Sequence, residues 1–205
     1  MSTSCYEQIR ADILAGRFEA GAALLETVMA GQYGVSRTPV REALARLEQD
    51  GLLRRVIRGY QVCSGTAEDV LEIYEARIAL ESGAAFAAAR RRTDLDLARL
   101  RHLHGGVSAT RDSHSEWHVA LWRAAHNATI EFLLTSLTTR LRIYDSGSRP
   151  PADETAAAAE IEASQAEHDK VLAAIVAQDA PAARDALAAH LERSRDLRLA
   201  AFARG

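Results

Sequence analysis

Residues 34–51 have the sequence GVSRTPVREALARLEQDG, which predicts the turn and second helix of a helix-turn-helix. Ser36 is suited to cap the helix that follows, and Pro39 falls in its first turn, where its missing N–H costs least. Three apolar residues then recur at helical spacing and define an inward face: Val40, Leu44 and Leu47. The opposite face of this helix is therefore left for a partner.

Arg37 and Arg41 lie one turn apart near the start of that helix, away from its apolar face. A helix that presents arginines at its N-terminal end is suited to the major groove of DNA, where arginine binds both base edges and phosphates. We assign a base contact to Arg37 and a phosphate contact to Arg41, with Thr38 as a further DNA-binding residue.

A two-stranded wing is expected at 52–63, where LLRRVIRGYQVC is rich in strand formers around a glycine. A helix near 5–16 precedes the motif, so residues 1–65 are predicted to form a winged helix-turn-helix domain. We expect four wing residues to assist DNA binding, with the glycine letting the tip approach a groove: Arg54, Arg55, Arg58 and Gly59.

Positive charge is concentrated on this surface, although the whole chain has a net charge of −3. Residues 34–60 hold six arginines against three acids, as the binding of phosphates requires. Residues 66–205 are acidic overall and are expected to stay off the DNA. No apolar run is long enough for a membrane span and no signal-peptide pattern is present, so we expect a cytoplasmic protein without a membrane partner.

Residues 66–205 are predicted to form a second, all-helical domain, which makes the fold class mostly α. Glycine- and proline-containing breaks divide this part of the chain into six segments, and six antiparallel helices would form a bundle with an interior cavity. We place the helices near 67–91, 94–104, 111–127, 130–146, 153–178 and 181–203.

Four histidines fall on the apolar faces of three of these helices: His114, His118, His168 and His190. Imidazoles placed in this way can close around a borderline divalent ion such as Zn²⁺ or Ni²⁺. A lone inward histidine is more often a hydrogen-bonded core residue, and for this set the structural alternative stays open.

Arg77 and Glu81 lie one turn apart within a buried stripe of the first helix of the second domain. Charged groups at buried positions need partners, so the two form an ion pair, or Arg77 also meets an anionic ligand. A metal beside an arginine would hold a small carboxylate effector by two positive charges. Gln165 and Ser194, like Ser164, lie near the histidine stripes and are candidates for contacts to effector hydroxyls.

The motif GVSRTPVREALARLEQDGLL, followed by RGYQV, closely resembles the GntR superfamily of bacterial transcription regulators. The remainder resembles the FCD-type effector domain of the FadR-like branch, through EIYEARIALE (72–81), EWHVAL (116–121), EHDKVLAAI (167–175) and AHL (189–191). The resemblance implies a homodimer that binds a palindromic operator and senses a metabolite such as an organic acid. It also implies one metal held by an aspartate and three histidines, which map to His118, His168 and His190.

His114 occupies the position where the family pattern has the aspartate. A set of four histidines contains no carboxylate and would favour a nitrogen-preferring ion, Zn²⁺ or Ni²⁺, over Mn²⁺ or Ca²⁺. Alternatively, His114 does not ligate, and the geometry of the site differs from the family pattern.

Two other functions are compatible with the sequence. One is a regulator without a metal that senses an apolar acyl compound. The other is a metal-dependent hydrolase, which would need an open coordination position and a general base; Glu116 points away from the histidines, and no other acid is an obvious base. We therefore expect a ligand-responsive transcription regulator, a repressor of a metabolic operon, and not an enzyme.

Overall fold

The computed structural model of the 205-residue chain describes residues 4–104, 111–146 and 154–202. These residues form nine helices and one small antiparallel sheet, which confirms the mostly α fold class. The elements are α1 (Cys5–Leu14), β1 (Ala23–Leu24), α2 (Glu26–Tyr33), α3 (Arg37–Gln49), β2 (Leu53–Arg55), β3 (Tyr60–Val62), α4 (Ala67–Arg91), α5 (Asp94–His104), α6 (Arg111–Ala124), α7 (Ala128–Ser146), α8 (Glu154–Val176) and α9 (Ala180–Phe202). None of the described helices is both long and apolar enough to cross a membrane.

The described residues divide into two compact units. The first consists of residues 1–66 together with 138–149, and the second of 67–137 together with 150–205, as far as these are described. The first unit thus includes the C-terminal half of α7, where Tyr144 lies so close to Gly65 that a Cβ there would be 2.3 Å from its ring. The sequence-based boundary assigned all of α7 to the second domain, and the division into 1–65 and 66–205 stays a prediction.

In the first unit, α2 and α3 form the helix-turn-helix. Gly34 ends α2 in the left-handed conformation, with φ at 65°, and so makes the turn. Ser36 is the N-cap residue of α3, but its side chain makes no capping hydrogen bond, so the expected cap is absent. The inward face of α3 is confirmed, because all of its predicted apolar residues are buried: Val40, Leu44 and Leu47.

The wing is a hairpin of β2 and β3, in which Leu53 is paired with Val62. A third strand, β1, was not predicted and pairs with the other edge of β3, giving the order β1-β3-β2. At the tip, Gly59 has a φ of 89°, and a Cβ there would lie 2.6 Å from the carbonyl oxygen of Leu24. Glycine is therefore required at this position both by backbone conformation and by space.

In the second unit, α4 packs along α9, while α8 packs against α9 and α5 against α6. Small residues such as Ala84 and Ala88 on the packed face of α4 let helices approach closely, and Trp117 and Trp122 of α6 are fully buried. Among the described residues of the same unit, five polar or charged side chains are buried: Arg77, Glu81, His118, His168 and His190. Because buried polar groups need partners, their mutual contacts define the candidate site.

Candidate metal centre and DNA-binding surface

The four histidines come together in the interior of the second unit, as their helical stripes predict. Helix α6 supplies His114 and His118, α8 supplies His168, and α9 supplies His190. One nitrogen from each ring lies within 4.8 Å of a nitrogen from every other ring. The Nε2 atoms of His168 and His190 are 3.4 Å apart. The set is thus a cluster of nitrogen donors that could hold a metal ion.

Glu81 fixes the orientation of His118. Its Oε2 accepts hydrogen bonds from His118 Nδ1 at 2.9 Å and from Trp122 Nε1 at 3.1 Å, and its Oε1 accepts from Arg77 Nε at 2.6 Å. Burial opposes ionisation of Glu81, but the charge of Arg77 and the bond from His118 outweigh it and hold the pKa well below its usual range. An ionised carboxylate can only accept, so His118 carries a proton on Nδ1, and in the neutral ring the lone pair lies on Nε2.

The Nε2 atom of His118 is buried and has no hydrogen-bond partner within the described part of the chain. A buried nitrogen without a partner costs free energy unless it is used for binding. Since its lone pair belongs to the four-histidine cluster, this atom is the strongest single indication that the cluster accepts an ion.

Glu167 has the same role toward His190. Its Oε2 accepts from His190 Nδ1 at 2.8 Å, and Arg193 binds both carboxylate oxygens, at 2.5 and 2.8 Å. Two arginine–glutamate–histidine chains therefore converge on the cluster, one through Glu81 and one through Glu167. Carboxylates that bind the second nitrogen of a ligating histidine are typical of metal sites, because they fix the tautomer and raise the basicity of the ring.

The rings of His114 and His168 are held mainly by a hydroxyl contact and by stacking and, within the described residues, not by a carboxylate. The Nδ1 atom of His114 lies 3.2 Å from Ser164 Oγ, and its ring stacks on that of His168 with centroids 4.6 Å apart. Trp117 stacks on His168 at 3.9 Å. Burial and the neighbouring His118 lower the pKa of His114 to about 3 and also lower the pKa of His168. Both rings are therefore neutral at pH 7, as metal ligands must be.

The residues predicted to bind an effector are only partly brought to the cluster. Arg77 is buried and forms the expected ion pair with Glu81. Gln165 and Ser194 are half-buried, and among the described residues neither bonds to a histidine; Ser164 does. Sequence reasoning missed Glu167 and Arg193, whose pairing with His190 depends on how α8 packs on α9.

In the first unit, α2, α3 and the wing enclose a groove of about 650 Å³. Five of the seven predicted DNA-binding residues line it: Arg37, Arg41, Arg55, Arg58 and Gly59. Thr38 is exposed on α3 but is not part of this lining. Arg54 also lies outside this lining, and its guanidinium donates to Gln61 Oε1 at 2.6 and 3.0 Å. The basic groove has the form and charge expected of a surface that binds DNA.

Two family models match the chain. Residues 2–59 match bacterial regulatory proteins of the gntR family, and residues 72–193 match the FCD domain. The chain belongs to the GntR family of bacterial regulators, with an FCD domain. The family resemblance read from the sequence is thereby confirmed. Because the family consists of DNA-binding transcription regulators and not of enzymes, the hydrolase alternative is excluded.

Curated proteins that are similar to this chain are also named as transcriptional regulators. The HTH-type transcriptional repressor GlaR of Escherichia coli is 27% identical over 200 residues, which cover 91% of this chain and 90% of GlaR. The uncharacterized regulator YdhC of Bacillus subtilis is 48% identical, but over 77 residues, 37% of this chain and 34% of YdhC. For two other curated relatives the chain spans between 31% and 49% of their length.

Among solved structures, the regulator is similar to E. coli McbR/YncC, with a TM-score of 0.75, 22% identity and coverage of 96% of this chain and 97% of that one. At this level of identity the likeness shows the fold alone. It extends over both the winged helix-turn-helix and the helical FCD domain.

Proposed function

We propose that this regulator is a repressor of a metabolic operon that binds a palindromic operator as a homodimer and senses a small carboxylate at a divalent metal, Zn²⁺ or Ni²⁺. The observation that carries the metal site is the buried, unpartnered Nε2 atom of His118 within a cluster of four histidines. Repression is suggested by the similarity to GlaR, which is named a repressor. A twofold homodimer would match the two halves of a palindromic operator.

The spacing of one donor pair fits the proposed ion, and all four ligand nitrogens lie within 4.8 Å of one another. Two nitrogens bound to one tetrahedral Zn²⁺ at about 2.0–2.1 Å lie about 3.3–3.4 Å from each other. The Nε2 atoms of His168 and His190 already have this separation, at 3.4 Å. The Nε2 atom of His118 has no hydrogen-bond partner among the described residues, and Ser164 on the Nδ1 side of His114 leaves the Nε2 of that ring for an ion. When bound, the ion would supply positive charge and coordination positions for the effector.

The charge balance of the site favours an anionic effector. Arg77 is paired with Glu81 and Arg193 with Glu167, while the four rings add no charge when neutral. A divalent ion would therefore leave two positive charges uncompensated in a buried place, and a small carboxylate would neutralise part of them. An apolar acyl chain would not neutralise this charge, so a site that holds the ion favours a carboxylate over an apolar effector.

In this proposal Arg77 faces the effector mainly through its charge, since its Nε is taken by Glu81. Gln165 and Ser194 remain candidates for effector hydroxyls, at half-buried positions. On the DNA side, Arg37 would contact a base and Arg41 a phosphate, assisted by Arg55 and Arg58 from the groove. Thr38, Arg54 and Gly59 complete the proposed DNA-binding set.

Metal content and effector response test the proposal. Protein purified without a histidine tag or chelator should contain one Zn²⁺ or Ni²⁺ per chain by elemental analysis, and a small carboxylate should change its DNA binding only when the metal is present. His118→Ala should lose the metal, whereas His102→Ala, which alters an exposed histidine outside the cluster, should retain it. Absence of stoichiometric metal, with no uptake of either ion by calorimetry, would reject the site.

A further inference from the structure

Glu26, the first residue of α2, bonds to Arg37 and Arg41, the two arginines near the start of the recognition helix α3. Its two oxygens accept three hydrogen bonds from Arg41, with distances of 3.0, 3.1 and 3.2 Å. A single longer contact, 3.3 Å, joins it to Nη2 of Arg37. One carboxylate thus occupies two of the side chains that were predicted to contact DNA.

Glu26 carries a negative charge in a groove whose other charged lining residues are arginines. Four arginines line the groove, and among the described residues that line it Glu26 is the one acid. It lies in the first turn of α2, where the helix dipole favours an anion. The first helix of a helix-turn-helix crosses the DNA backbone, so its N-terminal end is a natural place for phosphate. Here a carboxylate of the protein occupies that place.

This ion-pair cluster is not needed to hold the fold together. The side chains of Arg37 and Arg41 are 59% and 60% exposed, and exposed ion pairs contribute little to stability. Hydrogen bonds from Arg41 keep the pKa of Glu26 below its usual range, so the carboxylate is ionised at any physiological pH. The cluster is thus available for a role in binding.

We propose that Glu26 determines specificity by competing with DNA phosphates for Arg37 and Arg41, which weakens binding to DNA of arbitrary sequence more than binding to the operator. Binding to arbitrary sequence depends on phosphate contacts, and Arg37 and Arg41 must leave Glu26 to make them. The operator complex also gains base contacts. Arg37, held by one contact, is released for a base more readily than Arg41, held by three.

The test compares Glu26→Gln with Glu42→Gln, which removes the same charge from an exposed acid of α3 outside the groove. The probes are an operator duplex, selected by the wild-type protein from a randomised library, and a scrambled duplex. Glu26→Gln should bind the scrambled duplex about three- to tenfold more tightly, with a salt slope steeper by about 1. It should bind the operator with a smaller gain, so the ratio of affinities falls. Glu42→Gln should leave the ratio unchanged.

Glu26→Asp is the second variant, because it keeps the charge at the start of α2 but withdraws the carboxylate from the arginines. It should shift the ratio in the same direction by a smaller factor. Matching circular dichroism spectra and melting temperatures show whether all three variants are folded. An unchanged ratio in folded Glu26→Gln, or equal effects of Glu26→Gln and Glu42→Gln, would overturn the proposal. Weaker binding to both duplexes would also overturn it, since Glu26 would then only position the arginines.

Discussion

Glu81 is fully buried, and its two oxygens accept hydrogen bonds from Arg77, His118 and Trp122. A buried carboxylate is tolerated only where such bonds replace its hydration, and removal of one partner leaves an uncompensated charge. Glu167 makes equivalent bonds, but its side chain is 21% exposed. Each carboxylate therefore orients one histidine, but Glu81 matters more than Glu167 for the free energy of unfolding.

Replacement of the two carboxylates should separate these effects. Both Glu81→Gln and Glu167→Gln should lower metal affinity about 10- to 100-fold, because each frees the tautomer of a ligating histidine. Glu81→Gln should also lower the free energy of unfolding by roughly 3–5 kcal/mol, because Arg77 loses its buried partner. Glu167→Gln should cost less than about 1 kcal/mol. Metal titration and urea unfolding of the metal-free protein measure both quantities. Unchanged metal affinity in both variants would contradict the role of the carboxylates.

For single residues, the sequence predicts which side chains share a helix face, but not which specific side chains form a pair between two helices. Helical spacing places each of the four histidines on the apolar face of its helix, and because such faces all turn toward one core, their convergence could be predicted without knowing any specific pair. Glu167 precedes His168 in the chain but bonds to His190 on the next helix. That pairing depends on the rotation and rise of α8 against α9, which no local pattern specifies.

The helices could be predicted because the residues at which a helix begins or ends are recognisable in the sequence. The helices of the second half begin and end within three residues of the predicted positions. Helix α6 stops just before His126, which adopts a φ of 51°, and α9 starts next to Pro181. Strand β1 was missed because it is two residues long and exists only through its pairing with β3.

The wing and the helix-turn-helix offer a matched pair of glycine substitutions. Gly59→Ala places a Cβ 2.6 Å from the carbonyl oxygen of Leu24 at a φ of 89°, and should destabilise the wing by about 1–3 kcal/mol and weaken DNA binding. Gly31→Ala, within α2, meets no atom within 4 Å and should stabilise the protein by about 0.5–1 kcal/mol. Thermal unfolding and DNA titration of both variants are the measurements. Equal stability of the two would argue against a constrained wing tip.

For the whole molecule, the sequence separates a basic DNA-binding segment from an acidic helical one, and the two family models match these two parts. It does not predict that the C-terminal half of α7 groups with the first unit. Apolar periodicity identifies α7 as a helix, but what a helix packs against is decided by shape. The close approach of Tyr144 to Gly65, where a side chain would not fit, is one such contact.

The histidine cluster links the stability of the second unit to pH. Burial and the neighbouring His118 lower the pKa of His114 and His190 to about 3 and also lower that of His168, whereas in the unfolded chain these rings titrate near pH 6.5. Below about pH 6.5 the unfolded state therefore binds protons that the folded state does not, and the free energy of unfolding falls. Glu81, whose pKa lies below the ordinary glutamate value of 4.5, contributes to acid sensitivity only at lower pH.

Between pH 7 and pH 5, the change in the free energy of unfolding should therefore come from the histidines. The urea midpoint of the metal-free protein, followed by the fluorescence of Trp117 and Trp122, the two tryptophans of the chain, should fall steadily over this range. His190→Gln removes one ring with a lowered pKa and should reduce the slope, while the exposed control His102→Gln should keep the wild-type slope. A slope in His190→Gln equal to that of the wild type would mean that the ring does not stay neutral in the folded state. His190 would then take up a proton within this range, and the site would bind metal more weakly there because metal binding requires neutral imidazole.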